Sequence, residues 1–182
     1  ELTRQANHDP LTGLPNRLLL LRNAADALES IRGTRQNVAI LFLDVDRLKD
    51  VNDTVGHEIG DALLAQVAHR VAHATRPSDV VARIGGDEFV VLCDGGIDEH
   101  SALDLAERIR GSLSGRIMVH GVEVDLSVSV GVAVGLPAHV EGISGQEAAI
   151  ELLRNADIAM YQAKRRGRSR CELYTEVMRA ES

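Results

Sequence analysis

Short apolar runs alternate with longer amphipathic segments along most of the chain. Runs rich in Val, Ile and Leu, bounded by turn residues, predict buried β-strands, and they lie at residues 37–44, 80–84, 89–93 and 119–134. Apolar residues recur at helical spacing, which predicts amphipathic helices, in residues 18–31, 57–74, 98–113 and 144–166. Strands and helices therefore alternate, which indicates an α/β fold with a mixed sheet.

Boundary residues support several of these elements. Asp98 is placed to cap the third helix, and Ser144 with Glu147 fits a capping box at the start of the last. Gly167 suits the end of that helix, and residues 171–174 suit a final edge strand. The runs at 80–84 and 89–93 are separated by Gly-Gly-Asp-Glu, which predicts a hairpin with acids at its tip.

Composition narrows the class of protein. The 182 residues suit one compact domain, and 45% hydrophobic residues argue against disorder. A net charge of -7 argues against binding a nucleic acid polymer, but a few cations and helix N-termini can still hold a small anion. Cys93 and Cys171 lack metal-like spacing, and Cys93 is expected to be a buried free thiol in a reducing cytoplasm. No apolar run approaches membrane-helix length.

Acids and cations concentrate at predicted element ends. Asp44 and Asp46 end the first strand, and Asp87 and Glu88 lie at the hairpin tip. Mg²⁺ prefers such hard oxygen ligands and takes phosphates and waters for the rest. A basic cluster ends the last helix, at Lys164, Arg165, Arg166 and Arg168. Each feature alone fits ordinary strand ends, a hairpin cap or a solvated helix end, whereas together they favour a metal–triphosphate site.

Four segments in order resemble one family. They read DPLTGLPNR at 9–17, DVDRLKDVNDTVGHEIGD at 44–61, RIGGDEF at 83–89 and ADIAMYQAK at 156–164. The chain resembles a GGDEF domain, the diguanylate cyclase domain, over about residues 9–174. The resemblance implies a nucleotidyl-cyclase-like, palm-type α/β fold, with a mixed central sheet flanked by helices and the GGDEF motif on a β-hairpin.

The resemblance also implies a domain organisation. Residues 1–182 would be a single GGDEF domain, with 1–8 as the end of an upstream linker and 175–182 as the start of a downstream one. The tail from Leu173 resembles the junction to an EAL phosphodiesterase domain. The full-length protein is therefore expected to carry an upstream sensor and a downstream EAL domain, and to place this domain in the cytoplasm.

By position, the resemblance assigns the metal and catalytic residues. Asp44, the carbonyl of Val45, and Asp87 would bind Mg²⁺ or Mn²⁺. Glu88, or Asp87 through metal-bound oxygen, would help to deprotonate the 3′-hydroxyl of GTP. Lys49 would act on the phosphates and is counted with the catalytic residues.

The resemblance assigns the remaining substrate contacts as well. Asn52 and Asp61 would read the guanine edge, with His57 close to the substrate; a turn followed by a helix start is the ordinary alternative for these three residues. Lys164 and Arg168 would hold the phosphates, and the backbone N–H groups of Arg47 and Leu48 would act on them. Gly85 and Gly86 would let the backbone approach the ligand closely. The family often has an aromatic residue where this chain has Arg47-Leu48, so a loop that needs an aromatic buttress would leave activity weak.

A second site is implied by Arg76-Pro77-Ser78-Asp79. Five residues separate Asp79 from Gly85. This matches the family's RxxD inhibitory product site, with Arg108 of a partner domain completing it. Arginine can bond phosphate bidentately and stack on a purine. An exposed Arg–Asp ion pair without a ligand is the alternative.

These assignments predict an Mg²⁺-dependent diguanylate cyclase that joins two GTP molecules into cyclic di-GMP, releases two pyrophosphates and needs a homodimer. One alternative is a GTP-binding GGDEF domain that regulates an adjacent EAL phosphodiesterase. Another is a different magnesium-dependent nucleotide-transfer enzyme on a palm-like fold, although a polymerase would want a basic template groove.

Overall fold

A computed structural model of the protein describes residues 2–182. The helices are α1 (Leu2–Asn7), α2 (Arg17–Ser30), α3 (Leu48–Val55), α4 (His57–Ala74), α5 (Glu99–Ser112), α6 (Gly145–Arg165) and α7 (Glu176–Glu181), with a 3₁₀ turn at Pro137–Val140. The strands are β1 (Val38–Val45), β2 (Val80–Arg83), β3 (Glu88–Cys93), β4 (Gly115–Val119), β5 (Val122–Leu126), β6 (Val128–Gly135) and β7 (Cys171–Leu173).

Five strands form the central sheet in the order β2-β3-β1-β6-β7. All neighbours are antiparallel except β6 and β7, which are parallel, so the sheet is mixed as the sequence predicts. Every residue of β1 is buried, because this strand lies between β3 and β6 and helices cover both faces. Burial on both faces explains why β1 reads as a continuous apolar run rather than an alternating one.

The sheet separates two apolar cores. On one face, α4, α5 and the separate β4–β5 hairpin pack against side chains such as Leu41, Leu43 and Phe89. On the other face, α2 and α6 pack against Ile40, Phe42 and their neighbours. Helices on both faces of one mixed sheet confirm the predicted layered α/β architecture.

The predicted N-caps at Asp98 and Ser144 and the predicted helix end at Gly167 are present, but of the capping box predicted for Ser144 and Glu147 only the bond to the Ser144 side chain forms in the described residues. Asp98 and Ser144 accept hydrogen bonds from the N–H groups of Ser101 (2.7 Å) and Glu147 (3.1 Å), respectively. After α6, Gly167 has a φ of 116°, and the N–H of Arg168 donates to Ala163 O at 3.0 Å, which closes the helix in a Schellman motif.

Side-chain hydrogen bonds from the end of α2 also anchor the start of α6. Arg32, just after α2, bonds to Glu29 and donates to the carbonyls of Val140 and Ile143. The Glu29 carboxylate in turn accepts the N–H of Gly145 at 2.7 Å. Both ends of α6 are therefore anchored by hydrogen bonds that satisfy its terminal backbone groups.

The turn given as the ordinary alternative for Asn52 does not form, because Asn52 and Asp53 lie inside α3. The break before α4 comes at Gly56, where φ is 93°, and α4 then begins at His57. Leu48 is buried in the core and Val51 packs against it. This tertiary packing outweighs the turn preference of Asn and Asp.

Helices α1 and α7, the 3₁₀ turn, and the start of β4 at Gly115 were not predicted from the sequence. Cys93 and Cys171 are free, and Cys93 is buried as expected. Burial raises the pKa of the Cys93 thiol to about 12, so this side chain behaves as a small apolar group. Among residues 2–182, no helix has the length and apolar character needed to cross a membrane.

Helix α6 touches β6 backbone to backbone at Gly131. A Cβ added at Gly131 would collide with the carbonyl oxygen of Ala156 and with the backbone of Met160. These atoms belong to a regular helix, so neither can move alone. The close approach of α6 to the sheet therefore depends on glycine at this position.

We expect Gly131→Ala to lower the free energy of unfolding by about 1–3 kcal/mol or more, because overpacking forces α6 away from the sheet. Gly111→Ala is the matched control, since Gly111 lies in α5 and an added Cβ would meet no atom within 4 Å. The control should gain about 0.4–1 kcal/mol. Urea denaturation of the three proteins measures both changes, and equal stability of Gly131→Ala and wild type would contradict this packing.

Candidate active site

Two acidic segments meet where β1 ends and β3 begins. Asp44 and Glu88 are directly opposite each other in the antiparallel register. The next backbone pair extends this contact, because the N–H of Val45 donates to Asp87 O at 3.0 Å. The sheet itself therefore brings together the three carboxyl groups that the sequence assigned to metal binding and catalysis.

Lys164 enters this cluster from the last turn of α6. Its Nζ donates to Asp44 Oδ1 at 2.6 Å, and both side chains are mostly buried. The helix ends immediately afterwards, so its cap fixes the position of Lys164 along the sheet edge. The predicted phosphate ligand Lys164 is thus paired with the predicted metal ligand Asp44.

The electrostatics of the cluster are unfavourable to negative charge. Burial raises the pKa of Asp44 to about 7, the hydrogen bond from Lys164 opposes this rise, and repulsion from Asp87 and Glu88 adds to it. The pKa of Glu88 is also raised, first by burial and then by the nearby charges of Asp157 and Asp87. A cation bound here would relieve the repulsion that raises both values.

The two glycines of the hairpin have different surroundings. A Cβ at Gly85 would overlap Oε1 of Glu88, whereas a Cβ at Gly86 would meet nothing within 4 Å. Neither residue has the positive φ that only glycine adopts freely. Glycine at position 85 therefore leaves room for the Glu88 carboxylate in this conformation, and the turn does not demand an unusual backbone conformation there.

The hairpin tip is tied to the segment before α2 through Arg83. Its guanidinium donates to Gly86 O at 2.8 Å and forms an ion pair with Asp9 at 2.9 Å. Burial raises the pKa of Asp9, but hydrogen bonds from Thr12 and from Arg83 outweigh it, so the net pKa is lowered. Both residues were noted only as letters of a motif, and their separation of 74 positions left the pairing hidden in the sequence.

The residues assigned to guanine lie at the α3–α4 junction. Asn52 packs against the start of α4, where a Cβ at Gly60 would overlap its Oδ1. That oxygen is buried and has no hydrogen-bond partner among residues 2–182, whereas buried polar atoms are normally paired. Asp61 and His57 are exposed on the same part of α4. An unpaired acceptor beside an exposed carboxylate suits a ligand that brings its own donors.

The other residues predicted to contact phosphates differ in their burial. Lys49 is exposed in the first turn of α3, and Leu48 is buried in the core. Arg47 and Arg168 both line a cavity of about 500 Å³ between α3, β5 and the loop after α6. Both have left-handed backbones, with φ of 57° and 61°.

The residues of the second predicted site also lie close together. Arg76 bonds to Asp79 at 3.0 Å and to Asp94 O at 3.1 Å. Arg108 was expected to reach this site from a partner domain, yet within the same chain it donates to Ala74 O at 2.9 Å and lines one pocket with Arg76. The other residues lining this pocket of about 700 Å³ are His69, Arg70, His73, Ala74, Thr75 and Ser112. The lining contains no acid.

The donor set at the strand ends fits a hard divalent cation. No group of three or more His, Cys, Asp or Glu side chains in the described part of the chain is arranged to hold a metal. The assigned set needs fewer, because Mg²⁺ usually takes one or two carboxylates and fills its shell with water and substrate phosphates. Asp44 and Asp87 would supply those carboxylates, and the repulsion between them would favour a cation.

Comparisons with known proteins agree with this geometry. The family described as "Diguanylate cyclase, GGDEF domain" matches residues 6–170. Diguanylate cyclase TpbB of Pseudomonas aeruginosa is 40% identical over 168 residues, covering 92% of this chain and 37% of TpbB. The bifunctional diguanylate cyclase/cyclic di-GMP phosphodiesterase MucR of the same organism is 39% identical over 173 residues, covering 93% of this chain and 24% of MucR.

Solved structures agree as well. The structure of TpbB comprising only its GGDEF domain superposes with a TM-score of 0.85 at 37% identity, covering 96% of this chain and 98% of that one. The chain therefore belongs to the GGDEF family, the diguanylate cyclase domain. It spans little more than a third of TpbB and about a quarter of MucR.

The electrostatics of Asp44 predict a pH dependence of stability. The unfolded chain ionises this carboxyl near its ordinary value of 3.8, whereas the folded protein holds its pKa at about 7. The stability that protonated Asp44 contributes is therefore fully present below pH 3.8 and is lost as pH rises through about 7.

We expect the free energy of unfolding of wild type to fall relative to that of Asp44→Asn as pH rises across this window. Urea denaturation at several pH values, with a chelator present, measures the difference. A constant difference between the two proteins across the window would contradict the raised pKa.

Proposed function

We propose that this domain is an active diguanylate cyclase that condenses two GTP molecules into cyclic di-GMP and two pyrophosphates. The observation that carries the proposal is the convergence of Asp44, Asp87 and Glu88 at the strand ends, with Lys164 bonded to Asp44. Membership of the diguanylate cyclase family supports the same reaction. Since each domain would hold one GTP, synthesis would need two domains facing each other.

The acids would prepare the attacking hydroxyl. Asp44, Asp87 and the carbonyl of Val45 would hold Mg²⁺ or Mn²⁺, which when bound lowers the pKa of the 3′-hydroxyl and neutralises charge at the α-phosphate. Glu88 lies opposite Asp44, and burial with nearby negative charges raises its pKa, which makes its carboxylate a stronger base for the hydroxyl proton than an ordinary glutamate. Gly85 leaves room for this carboxylate.

The cations would take the triphosphate. As phosphate oxygens bind, the Lys164 Nζ would donate to them in place of, or in addition to, Asp44 Oδ1. Asp44 Oδ1 would then be available to the metal. Lys49 and Arg168 would add charge to the phosphates, while the backbone N–H groups of Arg47 and Leu48 would donate hydrogen bonds to them.

Asn52, Asp61 and His57 would recognise the base. The unpaired oxygen of Asn52 could accept a guanine N–H, and Asp61 would accept from N1–H and N2–H. Adenine has a lone pair at N1, so it would face the Asp61 carboxylate unfavourably. A mismatch of this kind costs about 1–3 kcal/mol for each unsatisfied group.

The alternative, a GTP-binding domain that regulates an attached EAL phosphodiesterase, is favoured by the likeness to MucR, whose name includes both activities. The intact acidic cluster and Lys164 favour catalysis, because a domain that only binds GTP could lose Glu88 without penalty. The two candidates differ in one measurable respect, namely whether product forms.

We expect the double substitution Asp87→Ala, Glu88→Ala to lower cyclic di-GMP synthesis by at least about 10²–10⁴-fold, because both a metal ligand and the proton acceptor are lost. The fold should remain, since the hairpin tip adds little to either core. Asp104→Ala, an exposed acid on α5, is the control and should behave as wild type. Chromatography of nucleotides after incubation with GTP and Mg²⁺ measures the product. Synthesis at the wild-type rate by the double variant would contradict the proposal.

The pocket at Arg76 and Arg108 is proposed as a product-inhibition site. A lining with several arginines and no acid suits the two phosphates of cyclic di-GMP. Arg76 and Arg108 line it within one chain, and a partner domain could add its own Arg108. Product bound there would hold two domains with their active sites apart, so inhibition would be noncompetitive with GTP.

We expect added cyclic di-GMP to slow wild-type synthesis and Arg76→Ala to need about 5- to 150-fold more product for the same effect, which corresponds to a coupling of about 1–3 kcal/mol. Arg116→Ala, an exposed arginine of the β4–β5 hairpin, is the control. Initial rates at increasing product concentration measure the shift. Superimposable inhibition curves for Arg76→Ala and wild type would place any inhibition elsewhere.

A further inference from the structure

Asp46 has a buried carboxylate whose two oxygens are both occupied. Its Oδ1 accepts the hydroxyl of Ser129 at 2.7 Å, and its Oδ2 accepts the hydroxyl of Ser127 at 2.7 Å and the backbone N–H of Ser169 at 3.2 Å. Only 6% of the residue is exposed. In the part of the chain that the structure describes, no Lys, Arg or His forms an ion pair with it. Its neighbour Asp44, by contrast, is paired with Lys164.

These bonds join three segments that are far apart in the sequence. Asp46 follows β1, the two serines lie at and just before the start of β6, and Ser169 lies in the loop after α6. The partners are separated from Asp46 by 81, 83 and 123 positions. The backbone adds a further tie, because the N–H of Asp46 donates to Ser127 O at 2.9 Å. One carboxylate therefore sets how the loop after α6 lies against the end of β1.

The segments held by Asp46 have unusual backbones. Arg47, which follows it, has a φ of 57°, and Arg168 and Ser169 have φ of 61° and 47°. Residues with a Cβ rarely adopt these left-handed conformations, which persist only where surrounding contacts hold them. Ser169 is held by its N–H bond to Asp46, and Arg168 by its own N–H bond to Ala163 O.

Both arginines face one cavity. Arg47, Arg168 and Asp46 all line the space of about 500 Å³ between α3, β5 and the loop after α6. We propose that Asp46 is a positioning residue that fixes the Arg47 turn and the Arg168 loop where they bind the GTP triphosphate. The inference rests on the proposed function, because it takes the triphosphate as the ligand of these two segments.

The hydrogen-bond pattern distinguishes this role from metal binding or proton transfer. Asp46 already accepts three hydrogen bonds, so most of the roughly four lone-pair positions of its carboxylate are taken by partners within the protein. A positioning residue needs only the pattern of bonds, which asparagine can supply. In Asp46→Asn, the amide oxygen can accept from Ser127 and Ser169, and the amide NH₂ can donate to the Ser129 hydroxyl, which rotates to accept.

The experiment compares Asp46→Ala with Asp46→Asn. Affinities for GTP and for guanosine are measured by calorimetry with Mg²⁺ present, and hydrogen exchange reports the Ser169 amide. We expect Asp46→Ala to bind GTP at least about tenfold more weakly, since small misplacements of binding groups have large effects. Guanosine affinity should stay unchanged, because guanosine has no phosphates, and the Ser169 amide should exchange faster.

Asp46→Asn should keep GTP affinity within about threefold of wild type, since it preserves the bonds. Ser169→Ala is the matched control, because it removes a hydroxyl but keeps the N–H that Asp46 accepts, and it should bind GTP as wild type does. If Asp46→Ala does not fold, Ser127→Ala and Ser129→Ala each remove one donor and should weaken GTP binding selectively, by a smaller factor.

Three results would overturn the inference. The first is wild-type GTP affinity in Asp46→Ala. The second is equal loss in Asp46→Asn and Asp46→Ala, which would mean that the charge matters rather than the hydrogen bonds. The third is equal weakening of GTP and guanosine, which indicates general disruption. If wild type itself binds no GTP, the proposed function fails, and the exchange rate of the Ser169 amide alone then decides whether Asp46 fixes the loop.

Discussion

The crowding of Asp44, Asp87 and Glu88 is the constraint on which the rest of the site depends. The register between β1 and β3 forces these carboxyl groups together, and burial makes their charge costly. Lys164 offsets part of that cost, but only because α6 ends where it does and lies close against the sheet at Gly131. The central strands, the last helix and its cap thus all position one cluster of acids whose charges repel each other. A bound cation and nucleotide would reduce this repulsion.

Much of this arrangement follows from local sequence signals. The continuous apolar run of β1, the Gly-Gly-Asp-Glu turn and the caps at Asp98 and Ser144 each predict the element that forms. Local propensity failed at Asn52-Asp53, where contacts of Leu48 with the core decide for a helix. Propensity describes a residue's own preference, whereas burial of a neighbour four positions away is a property of the whole fold.

The parts of the site that sequence reasoning missed depend on distant partners. Asp9 and Arg83 are visible as motif letters, but nothing local reveals that they form an ion pair. The same holds for Asp46, which looks like an ordinary acid after a strand until its serine partners are seen. The contact at Gly85 is also hidden in the sequence, because only the structure shows the Glu88 carboxylate against this residue.

The backbone contact at Gly131 also divides α6 into a long and a short arm. It lies between Ala156 and Met160, roughly 20 Å along the helix from Gly145 and about 9 Å from Lys164, at 1.5 Å per residue. If the helix rocks as a rigid rod about this point, a displacement at Gly145 reaches Lys164 reduced about twofold and reversed in direction. The short arm carries Lys164, so such a displacement at Gly145 would be attenuated before it reaches the acidic cluster.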